Sequence, residues 1–89
     1  MILNNIYMLK WFRGTGNKKY KVEIYEKGIK IKTVQFGAKG YNQYKDKTPL
    51  KLYSKLDTLD KERKRLYYIR HKKTYPKYSA DWFSKKYLW

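Results

Sequence analysis

The sequence predicts a single α+β domain over residues 1–89, in which a small antiparallel sheet is followed by helices. Strand-like segments bounded by glycine occupy the first half of the chain, and a helical pattern with capping residues occupies the second half. The chain also carries 11 Tyr, 3 Trp and 3 Phe, more aromatic residues than a disordered chain contains. We therefore expect one folded domain with its helices on one face of the sheet.

The first predicted strand, Ile6–Phe12, is rich in aromatic and branched residues and is followed by a loop at Gly14–Asn17. Both faces of this strand are apolar, so we expect it to be covered on both sides or to lie in the interface of a homodimer. The apolar segment Met1–Leu9 has no basic stretch before it and no small-residue cleavage site after it, which argues against a signal peptide.

A β-hairpin is predicted over residues 19–36. Two segments of alternating apolar and polar residues, Lys19–Glu26 and Ile29–Phe36, are separated by Lys27–Gly28. A two-residue connection that contains glycine is typical of a hairpin. These two strands should form the centre of the sheet.

The register of this hairpin follows from its short turn. If Glu26 lies opposite Ile29, then Ile24 lies opposite Ile31 on the same face. The apolar alternation of the second strand changes phase at Val34, so we expect a bulge near the end of that strand.

A turn and a long loop are predicted after the hairpin. Gly37–Gly40 contains two glycines, which permit the backbone angles of a tight turn, and Lys39 should project from it. The segment lacks the length and the Lys-Ser/Thr ending of a nucleotide-binding P-loop. Tyr41–Leu56 shows no clean period, so we expect it to be mostly loop.

A basic helix is predicted over residues 57–73. Asp57 is a suitable N-cap, and basic residues fill the last turn, where the helix dipole favours cations. Leu59, Leu66 and Ile69 fall on one stripe of this helix, so we expect them to face the core.

A short aromatic helix is predicted at the end of the sequence. Tyr75–Pro76 ends the basic helix, and Ser79–Asp81 begins the next one. We expect this segment to dock on the domain, because an undocked end would expose Trp82, Phe83 and Tyr87 together.

Charge indicates an anionic partner. The chain has 23 Lys and Arg against 7 Asp and Glu, a formal net charge of +16. Solubility needs a net charge of only about 2–8 on a small domain, and a larger excess makes the compact state repel itself. A phosphate backbone would neutralise this charge and release counterions. We therefore expect a nucleic-acid partner, with duplex DNA favoured.

The candidate binding site is the cationic face of the basic helix. After the capping acids this face carries no interleaved acidic residue, as phosphate binding requires. The candidate residues are Lys61, Lys64, Arg65, Arg70 and Lys72 on the helix, with Arg13, Lys18, Lys19, Lys39, Lys73, Lys85 and Lys86 as outer contacts.

Two other functions remain open at this point. Basic residues interleaved with tyrosine, as in Lys18–Lys21 and Lys85–Tyr87, also suit a single-strand or RNA-binding module, because aromatic rings stack on exposed bases. Alternatively, the protein is a minor capsid or scaffold protein whose charge meets acidic protein partners.

Catalysis is not expected from this sequence. The chain has no cysteine, and His71 is its single histidine and lies among basic residues. No nucleophile–base pair, metal-ligand cluster or cofactor motif is recognisable. No stretch approaches the about 20 apolar residues of a membrane span, and we expect no membrane partner.

An ordered series of motifs resembles a known family. The series comprises Lys32–Tyr41, Asp60–Lys64, Tyr68–His71, Trp82–Ser84 and Leu88–Trp89. It is similar to small basic proteins encoded by large DNA viruses of amoebae and algae, over about residues 20–89. The resemblance implies a structural role in handling and packaging viral DNA. It also implies a location in the virion, and in the host cytoplasm or nucleus during infection.

Overall fold

The computed structural model describes residues 7–89 and confirms the α+β class. A three-stranded antiparallel sheet has the order β1-β2-β3, and two helices follow it. Ile6, predicted to begin the first strand, and most of the apolar segment Met1–Leu9 lie outside the described residues. The elements in chain order are β1 Tyr7–Arg13, β2 Lys18–Glu26, β3 Ile29–Ala38, a 3-10 turn Ser54–Leu56, α1 Lys61–Arg70 and α2 Ala80–Tyr87.

The β2–β3 hairpin closes as predicted, with Glu26 opposite Ile29. The register beyond the turn differs from the expected one, because a bulge places Ile24 opposite Lys32 and leaves Ile31 unpaired. This bulge lies near the turn and not near the end of β3. The expected pairing of Ile24 with Ile31 was therefore wrong by one residue.

The bulge has a clear physical cause in the side-chain pattern of β3. One extra residue changes which face the following side chains occupy. As a result Val34 and Phe36 lie opposite Val22 and Tyr20, and all four side chains are buried. Without the bulge Val34 and Phe36 would face solvent, at a cost of about 1.5–3 kcal/mol for each large apolar side chain.

The core lies between the sheet and α2. Phe83 of α2 is fully buried and stacks on Phe36 of β3, with ring centroids 5.4 Å apart and an interplanar angle of 18°. Trp82 packs partly buried against the same cluster, as predicted. Ser79 caps α2, since its hydroxyl accepts a hydrogen bond from the Trp82 amide. The predicted docking of the aromatic helix is thereby confirmed.

Helix α1 is shorter than the predicted helix at both ends. Leu59 has a left-handed backbone with φ of 52°, which a right-handed helix does not accommodate. The helix therefore begins at Lys61, with Asp60 and not Asp57 as its N-cap, and it ends at Arg70. The Asp60 carboxylate accepts hydrogen bonds from two backbone amides of the first turn.

The apolar stripe of α1 does not face the core. Leu66 and Ile69 are 42% and 50% exposed, and Leu59 before the helix is 59% exposed. The buried residue is Tyr67, whose ring stacks on that of Trp89 with centroids 4.6 Å apart. Of the two helices α2 packs against the sheet, so the predicted stripe has no sheet to cover it. The prediction that Leu66 and Ile69 are core residues was wrong.

Candidate nucleic-acid interface

Helix α1 forms a ridge at the edge of the domain, with a solvent groove on each side. Its ten residues span about 15 Å. Lys61 and Arg70 are separated by about two and a half turns at 3.6 residues per turn, so they point to opposite sides of the helix. The predicted single cationic face is therefore two faces, and each of them lines its own groove.

The first groove, which we call the lysine groove, brings together four of the five predicted helix residues. It has a volume of about 750 Å³. Aromatic and apolar side chains from the helix and from the preceding loop complete its walls. The lining residues are Lys61, Lys64, Arg65 and Lys72 with Tyr44, Tyr68 and Ile69.

Aromatic rings hold two ammonium groups at the lysine groove. The Lys64 Nζ lies 4.5 Å from the centre of the Tyr44 ring. The Lys85 Nζ lies 5.1 Å from the centre of the Tyr68 ring and donates a hydrogen bond of 3.3 Å to the His71 carbonyl. A cation over an aromatic face is stabilised by about 0.5–1 kcal/mol at exposed sites. These contacts hold the cations in position without neutralising their charge.

Arg65 is the one cation of the lysine groove with a carboxylate beside it among the described salt bridges. Its guanidinium makes a two-pronged contact with Glu62, including a 3.0 Å hydrogen bond from Nε to Oε2. The hydrogen bond from Arg65 lowers the pKa of Glu62 below its ordinary value, so the pair is ionised at neutral pH. The positive charge of the groove therefore rests mainly on its lysines.

Lys45 and Lys47 of the long loop add positive charge beside the lysine groove, and neither was among the predicted residues. Burial, together with the charges of Lys64 and Lys45, lowers the pKa of Lys47. Backbone hydrogen bonds fix this segment, since the Lys45 amide donates to the Leu88 carbonyl and the Lys47 amide to the Tyr87 carbonyl. A bound anion would relieve the repulsion between these lysines. The sequence shows that both residues are basic. Because the loop has no helical or strand periodicity, their position beside α1 could not be predicted.

A buried carboxylate fixes the long loop against the sheet. Asp46 is 1% exposed and accepts hydrogen bonds from the Tyr20 hydroxyl, the Thr48 hydroxyl and the Tyr53 amide. Burial alone raises the pKa of Asp46, but the hydrogen bonds from Thr48 and Tyr20 outweigh it and leave the pKa lowered. Burial and the bond to Asp46 raise the pKa of Tyr20 to about 12. The loop that carries Tyr44 is thus rigidly placed.

Lys19 is part of this buried network and not an outer phosphate contact, which corrects the prediction. It is 1% exposed, and its Nζ donates to the Tyr41 carbonyl at 2.7 Å and to the Gln43 side chain. Burial lowers the pKa of Lys19, although the charges of Asp46 and Asp57 partly oppose this effect. Its alternating position in the hairpin gave no sign that the loop covers it.

The second groove, which we call the arginine groove, lies on the other side of α1. It has a volume of about 540 Å³. Arg70 lines this groove, contrary to the prediction that it shares a face with Lys61, and Arg63 lies beside it. The Arg63 Nε is 3.8 Å from the Asp60 carboxylate, and both side chains are largely exposed. The lining residues are Arg63, Leu66, Arg70, Trp89, Gly40, Tyr41 and Asn42.

The remaining predicted residues lie in four places. Lys85 lies beside the lysine groove over the Tyr68 ring, while Lys73 is exposed just after α1 and Lys86 lies over the Trp82 ring at 5.0 Å. The others lie at the end of the sheet that leads into the loop. These are Arg13, which is paired with Tyr20, Lys18, which is paired with Ala38, and Lys39, whose amide donates to the Asn17 carbonyl.

His71 is built into an aromatic stack. Its ring lies 4.2 Å from that of Tyr67, and its Nδ1 is 3.3 Å from the Tyr75 hydroxyl. Over residues 7–89 no group of three or more His, Cys, Asp and Glu side chains is placed to hold a metal ion. Over the same residues no helix is long and apolar enough to cross a bilayer.

Comparison with known proteins covers two strands of the sheet but neither helix. A family model described as a family of unknown function (DUF5754) matches residues 13–52. That span contains β2, β3 and most of the long loop, and it stops before α1. Neither the curated proteins nor the solved structures give a match. The resemblance to proteins of large DNA viruses stays a prediction.

Proposed function

We propose that the protein binds nucleic acid without sequence preference, and that duplex DNA is its main partner. The observation that carries this proposal is the lysine groove, which is lined by Lys61, Lys64 and Arg65 of α1 and by Lys72 just beyond the end of the helix. The chain's net charge of +16 supplies the long-range attraction. Contacts to phosphates carry no direct sequence information, so unrelated duplexes should bind alike.

The dimensions of α1 suit contact with several phosphates. Its length of about 15 Å corresponds to about four base-pair steps of about 3.4 Å along the duplex axis, so α1 can meet at most about four phosphates of one strand. Four neutralised phosphates give a log–log salt slope of about −3.6. The loop lysines at the groove would make the slope steeper.

We extend the proposal to a non-enzymatic role in compacting a viral genome inside the virion. The His71 ring contacts the Tyr67 ring and the Tyr75 hydroxyl, and no carboxylate orients it among the described hydrogen bonds, which supports a role without catalysis. The location rests on the resemblance described above. Mass spectrometry of purified particles tests it, since a packaged protein is retained after nuclease and detergent washing. Its absence from washed particles would contradict this part of the proposal.

A single-strand or RNA-binding function is the second candidate, because Tyr44 and Tyr68 also line the lysine groove. Base–aromatic stacking contributes about 1–3 kcal/mol per base. In this case single strands would bind more tightly than duplexes of equal length, and replacing Tyr68 by Ala would affect the single strand most.

Fluorescence polarisation at two salt concentrations tests the proposal. The partners are two unrelated DNA duplexes, a single strand and an RNA duplex. Reversal of Lys64 and Arg65 to Glu should lower the affinity for both DNA duplexes by a similar factor and flatten the salt slope. The matched control reverses Lys27 and Lys32 to Glu near the hairpin turn, which removes the same charge away from the grooves.

Three results would count against the proposal. If no nucleic acid binds at low salt, an acidic protein partner becomes the better explanation of the charge. If both double reversals weaken binding equally, the charge acts diffusely and the lysine groove is not the site. If the affinity stays flat between low and physiological salt, the binding is not electrostatic.

A further inference from the structure

We propose that α1 enters the major groove of B-form DNA, with one phosphate backbone in the lysine groove and the other in the arginine groove. This inference rests on the proposed function and adds a binding mode and a DNA form to it. The structural basis is the position of α1 as a ridge between two cationic grooves on opposite sides of one helix.

The ridge has the size of a major-groove element. An α-helix with its side chains is about 10–12 Å across, and the major groove of B-DNA is about 12 Å wide and 8.5 Å deep. Tyr67 attaches the helix to the domain from one side, through its stack on Trp89. The remaining side chains from Lys61 to Arg70 are exposed, apart from the partly buried Lys64. The side of the helix opposite Tyr67 is therefore exposed, and a groove lies along each flank.

The charges on the two flanks suit two backbones. Lys61 and Lys64 lie on one flank, and Arg63 and Arg70 lie on the other. The two arginines are two turns apart, which is about 10 Å, and this matches about three base-pair steps measured along the duplex axis. Guanidinium groups can bind phosphate oxygens with two parallel hydrogen bonds. Each strand of one duplex would thus meet cations from a different groove.

The proposed binding mode explains why apolar residues of α1 are exposed. We call the side of α1 opposite Tyr67 the crest, and it would face the base pairs. Ile69 and Leu66 are 50% and 42% exposed, and they flank the crest on the lysine and arginine sides. In a major groove these apolar side chains would pack against base edges, including any thymine methyl groups present, while the phosphate contacts on both flanks do not depend on sequence. Glu62 also lies near the crest, but Arg65 offsets its charge. A helix that lay only along one backbone would give Leu66 no such contact.

The mode requires the B form of the duplex. The major groove of an A-form RNA duplex is deep and narrow, so side chains cannot read it and a helix does not enter it. We therefore expect a DNA duplex to bind more tightly than an RNA duplex of the same sequence. Bulky substituents on the C5 position of pyrimidines project into the major groove of DNA and should block binding.

The experiment uses a duplex of about 12 base pairs, just over one helical turn, so that one protein binds one duplex. We expect the DNA duplex to bind at least about tenfold more tightly than the RNA duplex. Lys64→Glu and Arg70→Glu should each weaken binding to this single DNA duplex by about tenfold. Leu66→Asp should weaken it too, while Lys27→Glu at the hairpin turn serves as the charge-matched control. Circular dichroism verifies that every variant is folded.

Four outcomes overturn the inference and leave nucleic-acid binding itself standing. The first is equal affinity for DNA and RNA duplexes. The second is Lys64→Glu weakening the complex while Arg70→Glu has no more effect than Lys27→Glu. The third is full affinity for DNA that carries bulky C5 substituents. If Arg70→Glu spares binding to one duplex but abolishes the joining of two duplexes, the grooves hold separate DNA segments and the inference is also wrong. Failure of every nucleic acid to bind would instead remove the proposed function itself.

Discussion

The sheet with α2 and the helix α1 place similar apolar side chains in opposite environments. Phe83 of α2 is fully buried against the sheet, whereas Leu66 and Ile69 of α1 face solvent. The first region is held together by an aromatic core. The second is attached mainly by Tyr67, which stacks on Trp89. The comparison teaches that an amphipathic pattern alone does not identify a buried face, because a helix can direct apolar residues toward a partner.

The largest expected effect is the loss of a core side chain. Replacing Phe83 by Ala should reduce the free energy of unfolding by about 3–5 kcal/mol, because it removes a fully buried ring and leaves a cavity. Leu66→Ala, on the exposed ridge, should change it by less than about 0.5 kcal/mol. Urea denaturation followed by circular dichroism measures both. A large loss in the Leu66 variant would show that α1 is buried in solution.

Loss of the buried Asp46 carboxylate, which fixes the long loop against the sheet, should produce the next largest effect. Asp46→Asn replaces a charged acceptor of several hydrogen bonds and should reduce stability by about 1.5–3 kcal/mol at neutral pH. Because the loop carries Tyr44, the variant should also loosen the lysine groove and weaken DNA binding. Thr58→Ala, in which the removed hydroxyl accepts one exposed hydrogen bond, is the milder control.

The same carboxylate gives a pH dependence with a defined sign. The pKa of Asp46 is lower in the folded protein than its ordinary value of 3.8, so the folded state binds fewer protons than the unfolded state. The resulting stability is present above the ordinary pKa and is lost as the pH falls through the lowered one. Acid titration of the wild type should show this loss, and Asp46→Asn should lack it. Parallel curves for the two proteins would contradict the assignment.

The attachment of α1 can be tested by local unfolding. Replacing Tyr67 by Ala should detach the helix at a cost of about 1–3 kcal/mol, since Tyr67 is its buried residue. Hydrogen exchange should then lose protection across α1 while β2 keeps it. Tyr68→Ala, which removes a more exposed ring, is the matched control. Equal loss of protection in the sheet would mean that the two regions unfold together.

The sequence predicted those features that depend on near neighbours along the chain. The hairpin follows from Lys27–Gly28 between two alternating segments, and the start of α2 follows from the Ser79 cap. Helix geometry alone would also have separated Arg70 from Lys61, because about two and a half turns lie between them. The prediction that Arg70 and Lys61 share a face was therefore an error in helix spacing, and the sequence contains the information needed to avoid it.

The features that could not be predicted depend on distant contacts. Lys19 is buried because Gln43 and the Tyr41 carbonyl come from a loop without periodicity. The bulge at Ile31 depends on which face of β3 the core requires, and a turn-based register does not contain that information. Likewise, nothing in the pattern of Leu66 indicates whether a sheet or a partner covers it.

The smallest expected effect concerns the acid beside the lysine groove. Glu62→Gln would release Arg65 from its ion pair while leaving the helix cap at Asp60 intact. The unfolding midpoint should hardly change, because the pair is exposed and surface ion pairs contribute little to stability. DNA affinity should rise, since one negative charge leaves the crest and one guanidinium becomes available for phosphate. One additional phosphate contact steepens the log–log salt slope by about 0.9.

Glu26→Gln on β2, away from the helices, is the matched control for the loss of charge. An equal gain in both variants would show that only the net charge matters, and a gain in the Glu62 variant alone would place DNA at the ridge.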